Sequence, residues 1–419
     1  MDHFSYRKGI LYAEDVSIPE IVKEIDTPFY CYSTATLTRH YKVFAEAFSS
    51  VPTLICFAVK ANSNIAVLKT LAKLGSGADT VSEGEIMRAL AAGISPRKIV
   101  FSGVGKTRDE LRYALKQDIG QFNVESREEL LMLSEEACKL GKKANIAVRV
   151  NPDVDAGTHD KISTGKKEHK FGVSWEETPD VYEKAKELEG INVVAVATHI
   201  GSQITDLSPF RLAFDKIAGL VEMLRQKGHD IKRLDLGGGL GIPYNEKIPP
   251  APAEYGELIT EIVKPLGCEL VLEPGRLIAG NAGILVTKVV LVKRTRHRNF
   301  LVVDAAMNDL LRPSLYNAYH EIITVVEPKK GGATELFDVV GPVCETGDVF
   351  GKDRIMPHMQ EGDLAVIRSA GAYGAVMAGT YNSRLLVPEI MVNGEKFSVV
   401  RPRQTYDDMI GLDKLPDWL

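Results

Sequence analysis

Several places in this 419-residue chain carry side chains whose type and setting could do chemistry. Lys60 directly follows the apolar run 54–59 (LICFAV) and precedes Asn62. Desolvation favours the neutral, nucleophilic form of an amine, which is the form a Schiff base requires. The ordinary alternative is a solvated charge at a strand end. Asp79 lies near the end of a second short segment, 77–81 (GADTV). His199 closes the run 193–199 (VVAVATH) and leads into Gly201, Ser202 and Gln203, although a lone histidine is as readily a satisfied core residue. Gly237, Gly238 and Gly239 follow 233–236 (RLDL), either as a tight turn or as backbone N–H groups that could surround a phosphate. Glu273 opens EPGR, where it could simply pair with Arg276.

The segments that end in these residues belong to a series. Short runs rich in β-branched residues occur at 54–59, 77–81, 98–102, 120–124, 145–150, 193–199, 233–236 and 269–273. Between most of them, as at 65–74 and 83–92, apolar residues recur every three or four positions, which predicts helices. Ser82 followed by Glu85 reads as a capping box at the start of one. Eight strands alternating with helices predict parallel βα units, and a closed barrel of this kind takes about 250 residues. The count favours a (β/α)8 barrel over an open doubly wound sheet, which shows the same alternation.

Past residue 280 the texture changes to strand-like runs at 284–292, 300–304, 322–326, 337–340, 364–368 and 397–400, with few helices between them. A separate all-β domain of Greek-key or sandwich type is expected there. One further strand, 28–32 (PFYCY), precedes the barrel. The polar stretch 151–170 is long for a connection, and a flap over the barrel mouth is its preferred reading, against a plain solvated loop.

In such barrels the carboxyl ends of the strands share one mouth. Lys60, Asp79, His199, Gly237 to Gly239 and Glu273 all fall at those ends. A Schiff-base lysine, a phosphate cradle and a carboxylate in one mouth point to pyridoxal phosphate. Competing motifs fail. SGVGKT at 102–107 has Val100 where a phosphate-binding loop needs its first glycine, and GGGLG at 237–241 runs into Pro243 without dinucleotide-loop spacing. None of the nine histidines sits in H-E-x-x-H, and no metal site is expected.

Composition bounds the partners. Lys and Arg number 51 against 56 acids, a net charge of -5, which argues against nucleic acid or an anionic membrane as the main partner. Five scattered cysteines without a C-x-x-C pair fit a reducing cytoplasm better than a disulfide framework or a zinc site. The first residues lack the apolar core of a signal peptide, and no run approaches the ~20 apolar residues of a membrane span.

A set of longer motifs then carries a resemblance. They are AVKAN around Lys60, FNVES from Phe122, RVNPDVDAGTHDKISTGK from Arg149, HIGSQ from His199, DLGGGLGIPY from Asp235, EPGR from Glu273, RPSLYNAYH from Arg312, GPVCETGDVF from Gly341 and GAYGAVMAGTYNSR from Gly371. In combination they resemble the fold-type III pyridoxal phosphate enzymes, the alanine racemase and ornithine decarboxylase superfamily, and within it the diaminopimelate decarboxylases. The resemblance implies a barrel over 37–280 and a β domain over 281–419 that takes in residues 1–36.

By the same resemblance, Lys60 holds pyridoxal phosphate and Glu273 faces its pyridine nitrogen, where a carboxylate favours the pyridinium. His199 covers one face of the ring. Ser202, Gly238, Gly239, Gly275 and Arg276 hold the phosphate, Asp79 is a polar neighbour, and Tyr373 reaches phosphate and substrate. Arg276, Arg312 and Tyr316 are implied for the distal carboxylate of meso-diaminopimelate and Glu345 for its distal ammonium. Arginine suits the first task because its planar fork bonds both oxygens. Cys344, otherwise a small buried hydrophobe, is implied as a proton donor supplied by the partner subunit of a homodimer. A decarboxylase of ornithine, arginine or lysine, or a non-catalytic cofactor-binding relative, are the other readings.

Overall fold

A computed structural model describes residues 2–155, 170–245 and 248–419. Most of the stretch 151–170 assigned above to a flap therefore lies outside the described residues. The chain divides into two compact units, Thr38–Pro243 with Lys247–Ile278, and Met1–Leu37 with Tyr244–Glu246 and Ala279–Leu419.

The first unit is a closed barrel of eight strands, each parallel to both neighbours. The strands are β1 (Thr53–Ala58), β2 (Gly77–Thr80), β3 (Ile99–Phe101), β4 (Gln121–Val124), β5 (Ala144–Arg149), β6 (Ile191–Ala197), β7 (Arg233–Asp235) and β8 (Glu269–Leu272). Closure comes from β8 pairing with β1, Leu270 opposite Thr53 and Leu272 opposite Ile55. That ladder removes the open-sheet alternative, because an open sheet would leave both strands as edges. Strands of this kind are buried on both faces, so they read as continuous apolar runs. All four residues of β2 and all three of β3 are buried.

Two details differ from the sequence expectation. β6 ends at Ala197 and β8 at Leu272, which places His199 and Glu273 in the loops beyond rather than within the strands. At the helix Glu83–Ala91, Ser82 accepts from the Glu85 N–H, but the Glu85 carboxylate reaches back to the Val81 N–H at 2.8 Å, one residue further than a capping box requires.

The second unit is mostly β. Nine strands form one mixed sheet centred on the long strand Gly283–Arg294, which pairs antiparallel with Phe29–Ser33, Asn299–Val303 and Leu364–Ile367. Phe29–Ser33 also pairs in parallel with Glu389–Asn393. The core of this unit mixes both ends of the chain: Phe4, Leu11, Ile21 and Phe29 pack with Ile284, Val366 and Ile390. Residues before the barrel and after it thus bury one apolar surface. Among the described residues, no helix is long and apolar enough to cross a membrane.

Candidate active site

The carboxyl ends of the barrel strands collect the charged side chains. Lys60 sits in a single 3-10 turn, Val59–Ala61, immediately after β1. Its Nζ donates to Asp79 Oδ2 at 2.9 Å, and the Asp79 side chain on β2 is fully buried. The second oxygen of that carboxylate, Oδ1, is buried with no hydrogen-bond partner among the described residues.

Loops after β6 and β7 are stitched together by backbone bonds. The Ile204 N–H donates to the Gly239 carbonyl and the Gly241 N–H to that of Ile204, both at 2.9 Å. The Gln203 amide donates to the Ile242 carbonyl at 2.7 Å and accepts from its N–H at 3.2 Å. This seam presents Ser202, whose Oγ accepts from Arg276 Nη2 at 3.1 Å. The glycines are required by close backbone approach: a Cβ on Gly238 would stand 2.3 Å from the Glu273 carbonyl oxygen, and Gly239 (φ +114) has Gly201 O at 2.5 Å. A Cβ on Gly275 would be 2.9 Å from that of Ala61, so the turn after β8 packs directly on the lysine-bearing turn.

His199 Nδ1 accepts from the Gly238 N–H at 3.2 Å, which leaves the ring proton on Nε2. Burial, together with the positive charges of Arg149 and Lys60, holds its pKa well below the usual histidine range. The imidazole is expected to stay neutral through the range in which an ordinary histidine takes up its proton. Nitrogen-15 shifts of the labelled ring check this, and a protonation midpoint near the ordinary value of about 6.5 would contradict it.

Glu273 is 8% exposed. Burial first, and then the negative charges of Asp235 and Asp79, push its carboxyl well above the ordinary range, against the pull of Lys60 and Arg149. Arg149, at the end of β5, was not singled out from sequence. Its Nη1 donates to Glu125 Oε1 at 2.8 Å, and Glu125 also receives the N–H groups of Gly103 at 3.0 Å and Gly172 at 2.8 Å. Gln121 and Asn123, alternate residues of β4 that are 0% and 3% exposed, were also missed. Their signal was present: polar residues two apart on a buried strand face the same side.

The remaining predicted residues belong to the mostly β unit. Arg312 and Tyr316 bound the helix Arg312–Tyr316. Between them, Ser314 Oγ donates to the Gly347 carbonyl at 2.7 Å, tying the helix to the loop that carries Cys344 and Glu345. That loop is organised by the buried Asp348 carboxylate, which accepts from the N–H groups of Met307 at 2.6 Å and Val343 at 2.7 Å. The Cys344 N–H donates to Asn382 Oδ1 at 3.1 Å, and the Cys344 side chain is exposed. Tyr381 lies near Glu345, whose negative charge raises the pKa of its hydroxyl. Tyr373 adopts a left-handed conformation at φ +56 in the segment between Gly371 and Gly374. The Arg312 guanidinium lies 4.7 Å from the Tyr244 ring and donates to His320 Nε2 at 2.8 Å, while His320 Nδ1 donates to the Arg368 carbonyl at 2.8 Å.

Comparison with known proteins gives this arrangement a family. Residues 34–280 match the family model of the pyridoxal-dependent decarboxylase, pyridoxal binding domain. The chain is 48% identical to the diaminopimelate decarboxylase of Zymomonas mobilis, with 99% of each chain covered. It is 49% identical to that of Vibrio cholerae, again over 99% of each. The chain belongs to the diaminopimelate decarboxylase family. The solved diaminopimelate decarboxylase of M. jannaschii, in co-complex with L-lysine, superposes with a TM-score of 0.95 at 37% identity over 100% of this chain and 99% of that one.

Membership makes the chain a pyridoxal phosphate carboxy-lyase, and the barrel site fits that cofactor on its own terms. Among the described residues, the buried carboxyls of Glu273, Asp235 and Asp79 outnumber the cations bonded to them, which suits a cationic ring nitrogen. The unpartnered Asp79 oxygen marks a polar position with bonding capacity left over.

Proposed function

We propose that the chain decarboxylates meso-2,6-diaminopimelate to L-lysine and carbon dioxide, the last step of lysine biosynthesis, in the cytoplasm and as a homodimer with shared active sites. The observation that carries this reading is full-length similarity, at 48% and 49% identity, to proteins named for that activity.

When bound, pyridoxal phosphate supplies an electron-withdrawing ring that accepts the electron pair left as carbon dioxide departs. Lys60 is the amine that bonds the cofactor, and Asp79 holds that amine at 2.9 Å from its own carboxylate. Glu273 holds a proton at the ring nitrogen. Neutral His199, fixed by the Gly238 N–H, packs on the ring without adding charge. Ser202, Gly239, Tyr373 and the backbone of Gly275 and Arg276 bind the phosphate with hydroxyl and backbone donors, and Gly238, whose N–H is held by His199, lines the same loop. Arg276, Arg312, Tyr316 and Tyr373 orient the substrate by its distal carboxylate, and Glu345 takes the distal ammonium. Cys344 of the partner subunit delivers the proton that replaces the lost carboxylate at the α-carbon.

Substrate choice follows from charge. A site for ornithine needs acid alone at its far end and would strand two arginines, which is costly when buried. Carbon dioxide release from diaminopimelate, ornithine, arginine and lysine, measured in parallel on the cofactor-loaded protein, tests the reading. Release from diaminopimelate alone is expected. Turnover of ornithine or lysine in its place would overturn the substrate assignment and leave the cofactor assignment standing.

A further inference from the structure

Two barrel carboxyl groups lie side by side: Asp235 at the end of β7 and Glu273 just after β8. A single side-chain nitrogen, Asn123 Nδ2, donates to both, at 3.1 Å to Asp235 Oδ2 and 3.3 Å to Glu273 Oε1. Gln121 Nε2 fixes this bridge, donating to Asn123 Oδ1 at 2.8 Å and to Asp235 Oδ2 at 2.9 Å. The Gly237 N–H reaches Asp235 Oδ1 at 3.0 Å. Every one of these donors is neutral, and Asp235 is 1% exposed.

Among the described residues, neither carboxyl group forms an ion pair. The cations around them hold other partners: Lys60 with Asp79 at 2.9 Å, Arg149 with Glu125 at 2.8 Å, and Arg233 with Glu269 at 2.7 Å. Two carboxylates so close, so buried and without a cation cannot both stay ionised.

We infer that Asp235 and Glu273 share one proton in the cofactor-free protein, and that Asp235 is a positioning residue which keeps this proton on Glu273 until a cationic ring nitrogen takes its place. The inference rests on the reading of Glu273 as partner of that nitrogen. The groups facing the pair are Asp79 from β2, Lys60 from the turn after β1, Cys56 from β1 and Arg149 from β5, while Arg233 from β7 reaches it only through Gln121 Oε1, at 3.2 Å. Their balance favours the shared proton: Asp79 adds a third negative charge, and the carboxyl of Asp235 is pushed up to about 6, mainly by burial. Burial pushes both carboxyls up, and the negative charges of Asp235 and Asp79 push Glu273 up further, so Glu273 is the member that keeps the proton.

When the cofactor enters with its ring nitrogen protonated, the Glu273 proton leaves to solvent. When it enters with that nitrogen neutral, the same proton passes from the Glu273 oxygen to the nitrogen. Either way the pair ends with two carboxylates against one ring cation. The second negative charge strengthens the hold of the nitrogen on its proton, and the cofactor-free barrel contains no bare buried dianion.

Infrared difference spectra of the full chain against Glu273→Gln test this through the carbonyl stretch of a protonated carboxylic acid, titrated from about pH 5 to about pH 9. The cofactor-free protein is expected to keep that band above neutral pH and to lose it on loading with pyridoxal phosphate. In Asp235→Asn the midpoint should fall by at least about one pH unit, a shift that a merely structural role would not produce. Asp235→Ser, which removes the charge without adding an amide, serves if the asparagine variant does not fold. Absence of the band at neutral pH, its survival after loading, or an unmoved midpoint would each overturn the inference. Visible absorbance reports loading separately. A protein that takes up no cofactor overturns the reading of the site instead, and the titration of the cofactor-free band still decides whether the pair shares a proton.

Discussion

Lys60→Arg is expected to abolish covalent attachment of pyridoxal phosphate and to lower turnover by at least about 10³-fold, because a guanidinium stays protonated and cannot act as the nucleophile. The choice of arginine matters. Asp79 is fully buried and its Oδ2 accepts from the Lys60 ammonium at 2.9 Å. Lys60→Ala would remove the nucleophile and also strand a buried carboxylate, a cost of several kcal/mol that would mix stability with chemistry. Arginine keeps a cation beside Asp79 and removes only the reactive amine. Reduction with borohydride, followed by mass measurement, checks the result: the native chain should gain the mass of the reduced cofactor and the variant should not. A variant that still gains it would mean that another amine carries the cofactor.

The barrel was legible because burial on both faces leaves its strands little freedom of composition. LICFAV and NIAVRV could be read to within a residue or two of Thr53–Ala58 and Ala144–Arg149 for that reason. The mostly β unit was less so. The strand Val349–Pro357 carries Gly351, Lys352, Asp353 and Arg354 with three of its nine residues exposed, so neither alternation nor an apolar run marks it. Glu389–Asn393 begins with a buried glutamate that bonds the Tyr32 hydroxyl at 2.6 Å, a partner far away in sequence.

Site residues divide in the same way. Lys60, Glu273 and the glycines stand where apolar strands stop, a position that carries a functional expectation by itself. Arg312 and Tyr316 bound a short helix and Cys344, Glu345 and Tyr373 lie in loops, places with no such signal, and only the longer motifs pointed to them. Gln121 and Asn123 hide inside a strand as ordinary polar residues until the fold brings Asp235 and Glu273 against them. His320 and Tyr244 were invisible for another reason: what they do depends on Arg312, and Tyr244 comes from the far end of the DLGGGLGIPY segment.

That last group sets the second large effect, a selective loss on diaminopimelate in Arg312→Met. Arg312 is 6% exposed, and the orientation of its guanidinium is fixed before any substrate arrives. His320 donates through Nδ1 to the Arg368 carbonyl, so its Nε2 presents a lone pair to Arg312 at 2.8 Å, and the Tyr244 ring lies 4.7 Å from the guanidinium carbon. An arginine held in one plane loses little freedom on meeting a carboxylate, which is where preorganisation turns into affinity. Methionine matches its length without the charge. Truncating one member of a buried charge pair costs about 2–5 kcal/mol, so kcat/KM for diaminopimelate should fall by about 30- to 5,000-fold, chiefly through KM. Inhibition by lysine, which has no distal carboxylate to lose, should change far less, with Arg312→Lys intermediate on diaminopimelate because it keeps charge but not the fork. Leaving His320 Nε2 without its donor costs about 1–3 kcal/mol of stability, and that loss lowers the rate on every substrate alike. Comparing diaminopimelate turnover with inhibition by lysine therefore separates the cases: an equal loss of both would make Arg312 a structural residue and remove it from the substrate site.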